Sequence, residues 1–401
     1  MILPVILGTD VNAYGMARMF HMKYSVKSLL IGQGKLFMTN HSSICNLEIV
    51  PNFLEDEIFK STLIDIGREF LKNYEKLILI ASSDAYAELS IKYKDELSIF
   101  FFMPFIKPSL LSKLSNKKVF YETAREYGLP YPETSVITKD NYKDIKNPFG
   151  YPSVLKASSS IEYSKIEFEG KKKAFILKDD LNLKSVLKKI YESTDYDKEM
   201  LLQDFIPGDD SKMFVLNAYV NKSAEVKMMS LGHVVMEDPT PELIGNYLAI
   251  VGADGEKVYP VYKKFLENLG YTGFANFDMK YDERDGMYKV FEINLRQGRS
   301  SFFSALSGAN LAQAVTDDAL DNRNYMIVGS EDFLWLGAEA ETILKYVRDD
   351  SLKEKMERLI FEGKCQTTLT YEADENFIRD RAVKKYYDAY DERFNKFFVE
   401  K

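Results

Sequence analysis

The chain has 401 residues, of which 46% are hydrophobic and 28% are charged, and its formal net charge is −8. This length exceeds one ordinary hydrophobic core, so we expect two or three domains. The acidic balance argues against nucleic-acid partners, which select a basic face. Cys45 and Cys365 match no zinc-binding or redox spacing and indicate a reducing compartment.

The sequence predicts that the N-terminus begins a first strand rather than a signal peptide, because no basic stretch precedes the apolar residues that follow Met1. The longest apolar run, residues 99–106, is too short to span a membrane and is interrupted by Pro104. We therefore expect no membrane span and a cytoplasmic protein.

Strand and helix patterns alternate over the first hundred residues. In chain order the sequence predicts strand 5–7, helix 14–24, strand 26–31, helix 58–71 and strand 77–81. Such alternation predicts a doubly wound parallel sheet with ligand-binding loops at the carboxyl ends of its strands. The loop from Gly8 to Gly15 has two interpretations, a ligand contact or a tight turn with close helix packing. It carries no GxGxxG dinucleotide fingerprint.

A domain boundary is predicted at residues 104–115, after which Asn116 is placed to cap a helix over 117–127. The pattern then becomes strand-rich, which is typical of an α+β domain, with predicted strands at 151–157, 165–168, 200–206, 212–220 and 224–229. From residue 331 the chain is charged and mostly helical, apart from a β-like run at 366–371.

The strongest local signal is a hairpin, in which strands 273–280 and 288–294 flank a short turn. A turn centred on Asp285 would place two polar pairs opposite each other, Asp278 with Glu292 and Asn276 with Asn294. Carboxylates that face each other across a sheet destabilise it unless a cation offsets them. Oxygen-only ligands select a hard ion, so the pattern favours Mg²⁺ over zinc or copper. The alternative is a solvated strand face.

Arg296 and Arg299 follow the hairpin directly. Guanidinium groups bind phosphoryl or carboxylate oxygens bidentately, so beside a metal site they suit such a ligand. Gly298 and the two serines after Arg299 predict a helix N-terminus, which is itself an anion site. The alternative is a pair of surface arginines beside an ordinary helix cap.

Two lysines stand where a cation needs an anionic partner. Lys156 lies in an otherwise apolar strand, and Lys117 begins a helix, whose dipole disfavours positive charge there. A nucleotide triphosphate would satisfy both, and the alternative is two lysines whose charged ends reach solvent. No Walker, HExxH or GxSxG motif is present, and three histidines make neither a zinc site nor a Ser–His triad credible.

Taken in chain order, these residues resemble the ATP-grasp superfamily over roughly residues 1–330. The residues that carry the resemblance are Lys117, Lys156, the run Gln203–Gly208, Asp278 and the run Glu292–Arg296. The Glu-x-Asn-x-Arg string is similar to that of the carbamoyl-phosphate-synthase-like branch. Within this branch the chain most resembles the D-aspartate ligases of cell-wall biosynthesis, through residues 8–18, 233–241, 245–247 and 296–301. Leu295 departs from the pattern, because relatives commonly have proline there.

The resemblance implies a fold that is α/β and α+β. An N-terminal doubly wound, Rossmann-like parallel-sheet domain, the pre-ATP-grasp domain, would cover residues 1–108. An ATP-grasp domain of two α+β subdomains would cover residues 109–330, with a lid subdomain at about 150–208. Residues 331–401 would form a mostly helical C-terminal extension.

The resemblance also implies roles for individual residues. Lys117 and Lys156 would hold the ATP phosphates, and Arg296 and Lys156 would be catalytic in phosphoryl transfer. The nucleotide would also contact a hinge and a ribose-binding pair, namely Gln203, Asp204, Phe205 and Ile206, then Asp209 and Asp210. The metal ligands would be Asp278, Glu292 and Asn294. The substrate contacts would be Arg299, Ser300, Ser301, His233 and Asn246.

The implied reaction is ATP-dependent activation of a carboxylate as an acyl phosphate, which an amine then attacks. ATP and Mg²⁺ are the implied cofactors, with two ions expected and Mn²⁺ as an alternative. The implied small-molecule partners are D-aspartate and a lysine side chain of a muramyl peptide precursor, and a homodimer is an alternative to a monomer. Three other functions stay open: an amino-acid (dipeptide) ligase, an inactive ATP-binding regulatory protein, and a Rossmann-type oxidoreductase, which the missing glycine fingerprint disfavours.

Overall fold

The computed structural model describes residues 1–322 and 325–398, and for Ser160, Ile161 and Glu242 it describes the backbone alone. The last three residues of the predicted C-terminal extension therefore lie outside the described residues. Within the described ranges, no helix combines the length and the apolar character that a bilayer crossing requires.

The described residues form the following elements. The strands are β1 Ile2–Leu7, β2 Ser28–Gly32, β3 Cys45–Ile49, β4 Lys76–Ala81, β5 Phe101–Phe102, β6 Thr134–Ile137, β7 Ser153–Ala157, β8 Ala174–Leu177, β9 Met200–Asp204, β10 Met213–Val220, β11 Val226–Glu237, β12 Tyr247–Gly252, β13 Gly273–Asp282, β14 Met287–Asn294, β15 Ile327–Val328, β16 Leu334–Leu336 and β17 Cys365–Thr367. The α-helices are α1 Val11–Tyr24, α2 Asp56–Phe70, α3 Asp84–Lys92, α4 Lys94–Leu97, α5 Pro108–Ser115, α6 Lys117–Glu126, α7 Ser160–Ser164, α8 Asp180–Ser193, α9 Tyr259–Leu269, α10 Phe303–Leu306, α11 Leu311–Ala319, α12 Ala340–Leu344, α13 Asp350–Phe361 and α14 Phe377–Phe397.

The chain divides into two compact units. The larger unit comprises residues 1–108, 209–278 and 294–401, and the smaller unit comprises residues 109–208 and 279–293. The chain passes from one unit to the other within β13 and again within β14. These units are defined by compactness in space, whereas the predicted domains are consecutive stretches of the sequence. The predicted boundaries near residues 108 and 330 therefore stay a prediction.

The N-terminal part of the larger unit is a parallel sheet in the order β3-β2-β1-β4-β5. β1 is buried along its whole length, as a central strand covered on both faces must be. Asp10 caps α1 by accepting a hydrogen bond from the Ala13 N–H at 3.0 Å. Gly8 has a φ of +131°, and a Cβ there would lie 1.9 Å from Ser82 Oγ, so this turn requires glycine for packing. The predicted parallel sheet is confirmed.

A second sheet follows the order β14-β13-β10-β11-β12-β16-β17, and β15 pairs with β11. The C-terminal segment supplies β16, which pairs antiparallel with β12, and β17, which pairs parallel with β16. Helix α14 places Val383 and Tyr387 in the core that includes residues of α1 and β1. Its Tyr390 and Phe394 enter a second core with residues of β12 and β16. The C-terminal segment is therefore an integral part of the larger unit.

The smaller unit is built on an antiparallel sheet in the order β6-β9-β7-β8. Helix α8 packs on this sheet, since its Leu187 and Ile190 share a core with Leu155 and Leu202. Helix α6 begins where the sequence predicts. The Asn116 side chain accepts hydrogen bonds from the backbone N–H groups of Lys118 and Val119.

The strand predicted at residues 165–168 is wrong. Ile166 and Phe168 pack against the core of the smaller unit, which accounts for their alternation, but the segment joins no sheet. The strand that pairs with β7 at this edge of the sheet is β8, whose alternate residues Ala174 and Ile176 are exposed. β3 was not predicted either, because Cys45 is its one buried residue and the strand carries little alternation.

Candidate active site

A chain of hydrogen-bonded amides lies beside two of the predicted metal ligands, all within the larger unit. Asn294 Nδ2 donates to Asn276 Oδ1 at 2.9 Å and to Asp278 Oδ2 at 3.3 Å. Asn276 Nδ2 donates to Asn217 Oδ1 at 3.0 Å, and Asp278 Oδ1 accepts from the Tyr247 hydroxyl at 2.8 Å. Asn276 and Asn294 are thus in contact, as the predicted hairpin requires.

The backbone at Gly298 fixes which way these amides point. Its N–H donates to Ser301 Oγ at 2.6 Å, so the Ser301 hydroxyl donates its own hydrogen to Asn217 Oδ1 at 2.8 Å. Because that oxygen accepts, Asn276 presents its nitrogen to it and turns its oxygen to Asn294. These bonds use the amide nitrogen of Asn294 and leave its oxygen for another partner. A Cβ at Gly298 would lie 2.7 Å from Asn276 Oδ1, so glycine is required.

The two predicted anion-binding arginines have different partners. Arg296 Nε and Nη2 lie 2.9 Å and 3.1 Å from the carboxylate of Asp84, at the start of α3. Arg299 Nη2 donates to the Tyr386 hydroxyl on α14 at 2.7 Å. Arg296 is therefore neutralised by the chain itself, whereas Arg299 has a neutral partner.

The helix expected to begin at Gly298 begins later. The Ser301 N–H donates to the Gly298 carbonyl at 3.1 Å, which closes a turn, and α10 starts at Phe303 and has 4 residues. So short a helix has a small dipole. The predicted start of the helix at Gly298 is therefore wrong, and anion binding by residues 298–301 stays a prediction.

The remaining predicted substrate contacts are held within the larger unit. Ser300 and Ser301 are buried. His233 Nε2 contacts the Ser211 carbonyl at 2.6 Å, and burial lowers the pKa of its imidazole. Asn246 Nδ2 donates to the backbone at 2.9 Å and stabilises its own turn. A substrate role for these four residues stays a prediction.

In the smaller unit, the anionic partner of Lys117 comes from the chain. Its Nζ lies 2.5 Å from Glu292 Oε2, and the two side chains are 17% and 31% exposed. The Lys117 ammonium holds the pKa of the Glu292 carboxyl well below its usual range, although burial acts in the opposite direction. Glu292 is therefore ionised at neutral pH, as a metal ligand must be.

Lys156 lies half-buried on β7 with neutral partners. Its Nζ donates to the Tyr121 hydroxyl at 2.8 Å, and that hydroxyl donates to the Phe291 carbonyl at 2.7 Å. Desolvation, with added repulsion from Lys117, lowers the pKa of Lys156 to about 7. A bound anion would restore full protonation, so this position favours a negatively charged ligand.

The predicted hinge runs out of β9, and its first two side chains are held by the smaller unit. Gln203 is buried and donates to Thr134 Oγ1 at 2.7 Å. Asp204 forms an ion pair with Arg284 at 2.7 Å. Side chains held in this way suit a segment that contacts a ligand through its backbone.

The last hinge residues and the predicted ribose contacts differ in exposure. Phe205 is half-buried, and Ile206 is buried. Asp209 is exposed and caps the short turn that starts at Asp210, accepting from the Ser211 N–H at 3.0 Å and from its hydroxyl at 2.6 Å. Both hydrogen bonds of the Asp209 side chain lie within its own turn. Its proposed contact with a ribose stays a prediction.

The oxygen donors present fit Mg²⁺. In the described part of the chain, no group of three or more His, Cys, Asp or Glu side chains is arranged to hold a metal. Proteins commonly bind Mg²⁺ through one or two carboxylates, while substrate phosphates and water complete the shell. Asp278 and Asn294 are in contact in the larger unit, and Glu292 belongs to the smaller unit. The metal site stays a prediction.

Three residues of these networks were missed in the sequence. Tyr121 lies one helical turn after Lys117, a spacing that puts both on one helix face. Asn217 is a buried amide in the apolar strand β10, and such a residue needs a specific partner. Tyr247 lies in the run 245–247 that carries the family resemblance, where the resemblance implies a substrate contact for Asn246.

Comparison with known proteins identifies the family, although no family model matches the chain. The chain is 44% identical over 407 residues to the D-aspartate ligase of Enterococcus faecium (strain Aus0004), covering 99% of this chain and 96% of that protein.

Solved structures share the fold at low identity. An N5-carboxyaminoimidazole ribonucleotide synthetase with ADP has a TM-score of 0.60 at 14% identity, covering 86% of this chain and 84% of that one. The L-amino acid ligase from Bacillus licheniformis has a TM-score of 0.55 at 14% identity, covering 80% and 74%. The biotin carboxylase domain of Hydrogenobacter thermophilus 2-oxoglutarate carboxylase, with MgADP, has a TM-score of 0.58 at 14% identity, covering 81% and 71%.

These solved proteins are ATP-grasp enzymes that carry an N-terminal domain, so the predicted fold class is confirmed. The identity to the enterococcal enzyme covers nearly the whole of both proteins, including the C-terminal segment that the superfamily resemblance left out. The chain belongs to the D-aspartate ligase family, whose members form carbon–nitrogen bonds.

Proposed function

We propose that this chain is an ATP- and Mg²⁺-dependent ligase that joins D-aspartate to the side-chain amine of a lysine in a peptidoglycan precursor. The observation that carries the proposal is the 44% identity to a D-aspartate ligase over almost the full length of both chains. The charged groups of the candidate site support it, because their chemistry suits phosphates, a divalent cation and a carboxylate.

The nucleotide roles that we propose follow from charge. Lys117 and Lys156 would hold the ATP phosphates, and Gln203–Ile206 would hold the adenine, with Asp209 or Asp210 at the ribose. The low pKa of Lys156, about 7, supports this role, since a polyanion beside the ammonium would compensate its desolvation. Asp278, Glu292 and Asn294 would hold two Mg²⁺ ions, with Mn²⁺ as an alternative, and the bound metal would neutralise phosphate charge.

The proposed reaction has two steps. A carboxylate oxygen of aspartate attacks the γ-phosphorus of ATP, ADP leaves, and an aspartyl phosphate forms. The neutral lysine amine then attacks the acyl carbon, phosphate leaves with the oxygen it received, and the amine loses a proton. Arg296 would stabilise the transferring phosphoryl group, which requires it to exchange Asp84 for the phosphate. The predicted lid, residues 150–208, would exclude water from the acyl phosphate.

The proposed substrate contacts include one charged side chain. Arg299 has the one guanidinium of the predicted substrate set, so we assign it to a substrate carboxylate. Ser300, Ser301, His233 and Asn246 would shape the surroundings. We propose a cytoplasmic enzyme, and light scattering would distinguish a monomer from a homodimer.

The test is ADP release from MgATP with a panel of D- and L-amino acids, each with and without a lysine-containing muramyl peptide. We expect release that requires D-aspartate and the peptide together, with a product heavier than the peptide by one aspartyl residue. Release with another acid–amine pair would keep the reaction and replace the substrate, as for a dipeptide ligase. ATP binding without release for any pair would contradict the proposal in favour of a regulatory protein.

A further inference from the structure

Arg299 is a half-buried cation whose hydrogen-bond partner, the Tyr386 hydroxyl, is neutral. Among the carboxylates whose side chains the structure describes, none forms an ion pair with its guanidinium. Arg296, three residues earlier, shows the contrast, since Asp84 neutralises it. Burial acts to lower the pKa of Arg299, but the nearby Tyr386 and Tyr390 hydroxyls and the more distant Asp238 carboxylate raise it on balance, so the guanidinium stays charged. A half-buried guanidinium with no carboxylate in contact suits an anionic ligand.

Two tyrosines of α14 connect Arg299 to a buried carboxylate. Arg299 Nη2 lies 2.7 Å from the Tyr386 hydroxyl, which lies 3.2 Å from the Tyr390 hydroxyl. The Tyr390 hydroxyl lies 3.0 Å from Asp238 Oδ2, and Asp238 is 1% exposed. We call these two hydroxyls, Tyr386 and Tyr390, the tyrosine relay.

The direction of each hydrogen bond in the tyrosine relay is determined by its two ends. A guanidinium can only donate, so Tyr386 accepts from Arg299. An ionised carboxylate can only accept, so Tyr390 donates to Asp238. Tyr386 must then donate its hydrogen to Tyr390. In each hydrogen bond, the donor is the group nearer Arg299 and the acceptor is the group nearer Asp238. This arrangement orients the guanidinium, although no carboxylate contacts it directly.

A small cavity in the larger unit is bordered by Arg299 and by aromatic residues. Arg299 lines this cavity with Val11, Tyr247, Trp335 and Tyr386. Tyr247 is the residue whose hydroxyl hydrogen-bonds Asp278, one of the proposed metal ligands. The cavity therefore lies beside a residue that contacts the proposed metal site, within the larger unit.

We infer that α14 is part of the substrate site, where the tyrosine relay positions Arg299 to bind the carboxylate of aspartate that is not activated. The inference rests on the proposed function and deepens it. Aspartate has two carboxylates, and once one is phosphorylated the other still needs a counter-charge. Tyr386 and Tyr390 are positioning residues in this account, because they act through Arg299.

The test is steady-state kinetics of Tyr386→Phe, Tyr390→Phe and Arg299→Ala with the amino acid that the wild type activates. Losing a hydrogen bond to a charged group weakens binding about tenfold or more. We therefore expect Tyr386→Phe to raise the KM for the amino acid about tenfold, and Tyr390→Phe to raise it less, because Arg299 keeps its direct partner. For both variants kcat and the KM for ATP should stay within about twofold of wild type. Arg299→Ala should raise the KM for the amino acid about 100-fold, as the loss of a bidentate carboxylate contact would.

The matched control is Tyr346→Phe. The Tyr346 hydroxyl donates to Asn395 Oδ1 on α14 at 3.0 Å, but it lies outside the tyrosine relay. This variant should leave both KM values unchanged. If Tyr386→Phe kept the wild-type KM for the amino acid while Arg299→Ala raised it, the relay would be overturned and the role of Arg299 would stand. If Arg299→Ala also kept the wild-type KM, that role would fail too, although the ligase reaction itself would not be in question.

Discussion

Glu292→Gln is expected to lower kcat about 10³-fold or more while the protein stays folded. In the proposed site Glu292 binds the metal, and an amide supplies one neutral oxygen in place of a carboxylate. A metal contributes several kcal/mol to stabilising charge in phosphoryl transfer, and each 1.36 kcal/mol is tenfold in rate. The substitution also removes the partner of Lys117, at 2.5 Å. ADP release at saturating substrates, with the melting temperature measured in parallel, checks the prediction.

Glu199→Gln is the matched control for this variant. Glu199 pairs with Lys118 at 3.1 Å in the same unit, so the control removes an equivalent ion pair from the neighbouring lysine. Its kcat should be unchanged. Wild-type turnover in Glu292→Gln would remove the proposed metal role, and equal losses in both variants would show that an ion pair of the fold, rather than the metal, is what matters.

Arg379→Met is expected to lower the free energy of unfolding of the larger unit by about 3–5 kcal/mol, the cost of breaking a buried charge pair. Arg379 is 1% exposed and donates to the carbonyls of Met38 and Leu369 at 3.0 Å and 2.9 Å. Asp374 lies 3.9 Å away, also buried, and accepts from the Tyr14 hydroxyl at 2.8 Å. Methionine would fill the space but leave Asp374 and two carbonyls without their cation.

Urea unfolding followed by the fluorescence of Trp335, the one tryptophan of the chain, measures this effect in the larger unit. The control is Arg358→Met, which removes an exposed ion pair with Asp332 on the same C-terminal segment and should change stability little. Equal stability of the two variants would contradict the view that Arg379 and Asp374 join the C-terminal segment to the N-terminal part of the larger unit.

The elements that the sequence predicts well are those whose signals are local. β1, α1 and β4 follow from apolar runs and turn residues, and α6 follows from Asn116 as a cap. β8 and the true start of α10 were missed because their positions depend on which neighbour they pack against. The run of residues 165–168 shows the reverse, since its alternation reflects burial without strand pairing.

The candidate site shows the same division between residue identity and residue partner. Lys117, Lys156 and Glu292 stand out in the sequence because a charged side chain is energetically unfavourable at each predicted position unless a partner of opposite charge is near. Their partners are not local: Lys117 and Glu292 are separated by 175 positions, and Lys156 contacts Tyr121 from another element. The place of α14 beside Arg299, 87 positions away from Tyr386, has no sequence signal of its own.

The central claim, activation of a carboxylate as an acyl phosphate, is tested most directly by isotope transfer. Aspartate labelled with ¹⁸O in both carboxylates is incubated with MgATP, enzyme and the acceptor peptide, and the released phosphate is analysed by mass spectrometry. The proposed reaction predicts one ¹⁸O atom in each phosphate formed, because the carboxylate oxygen that attacks the γ-phosphorus leaves with it. Amide product accompanied by unlabelled phosphate would contradict the acyl phosphate and with it the proposed mechanism.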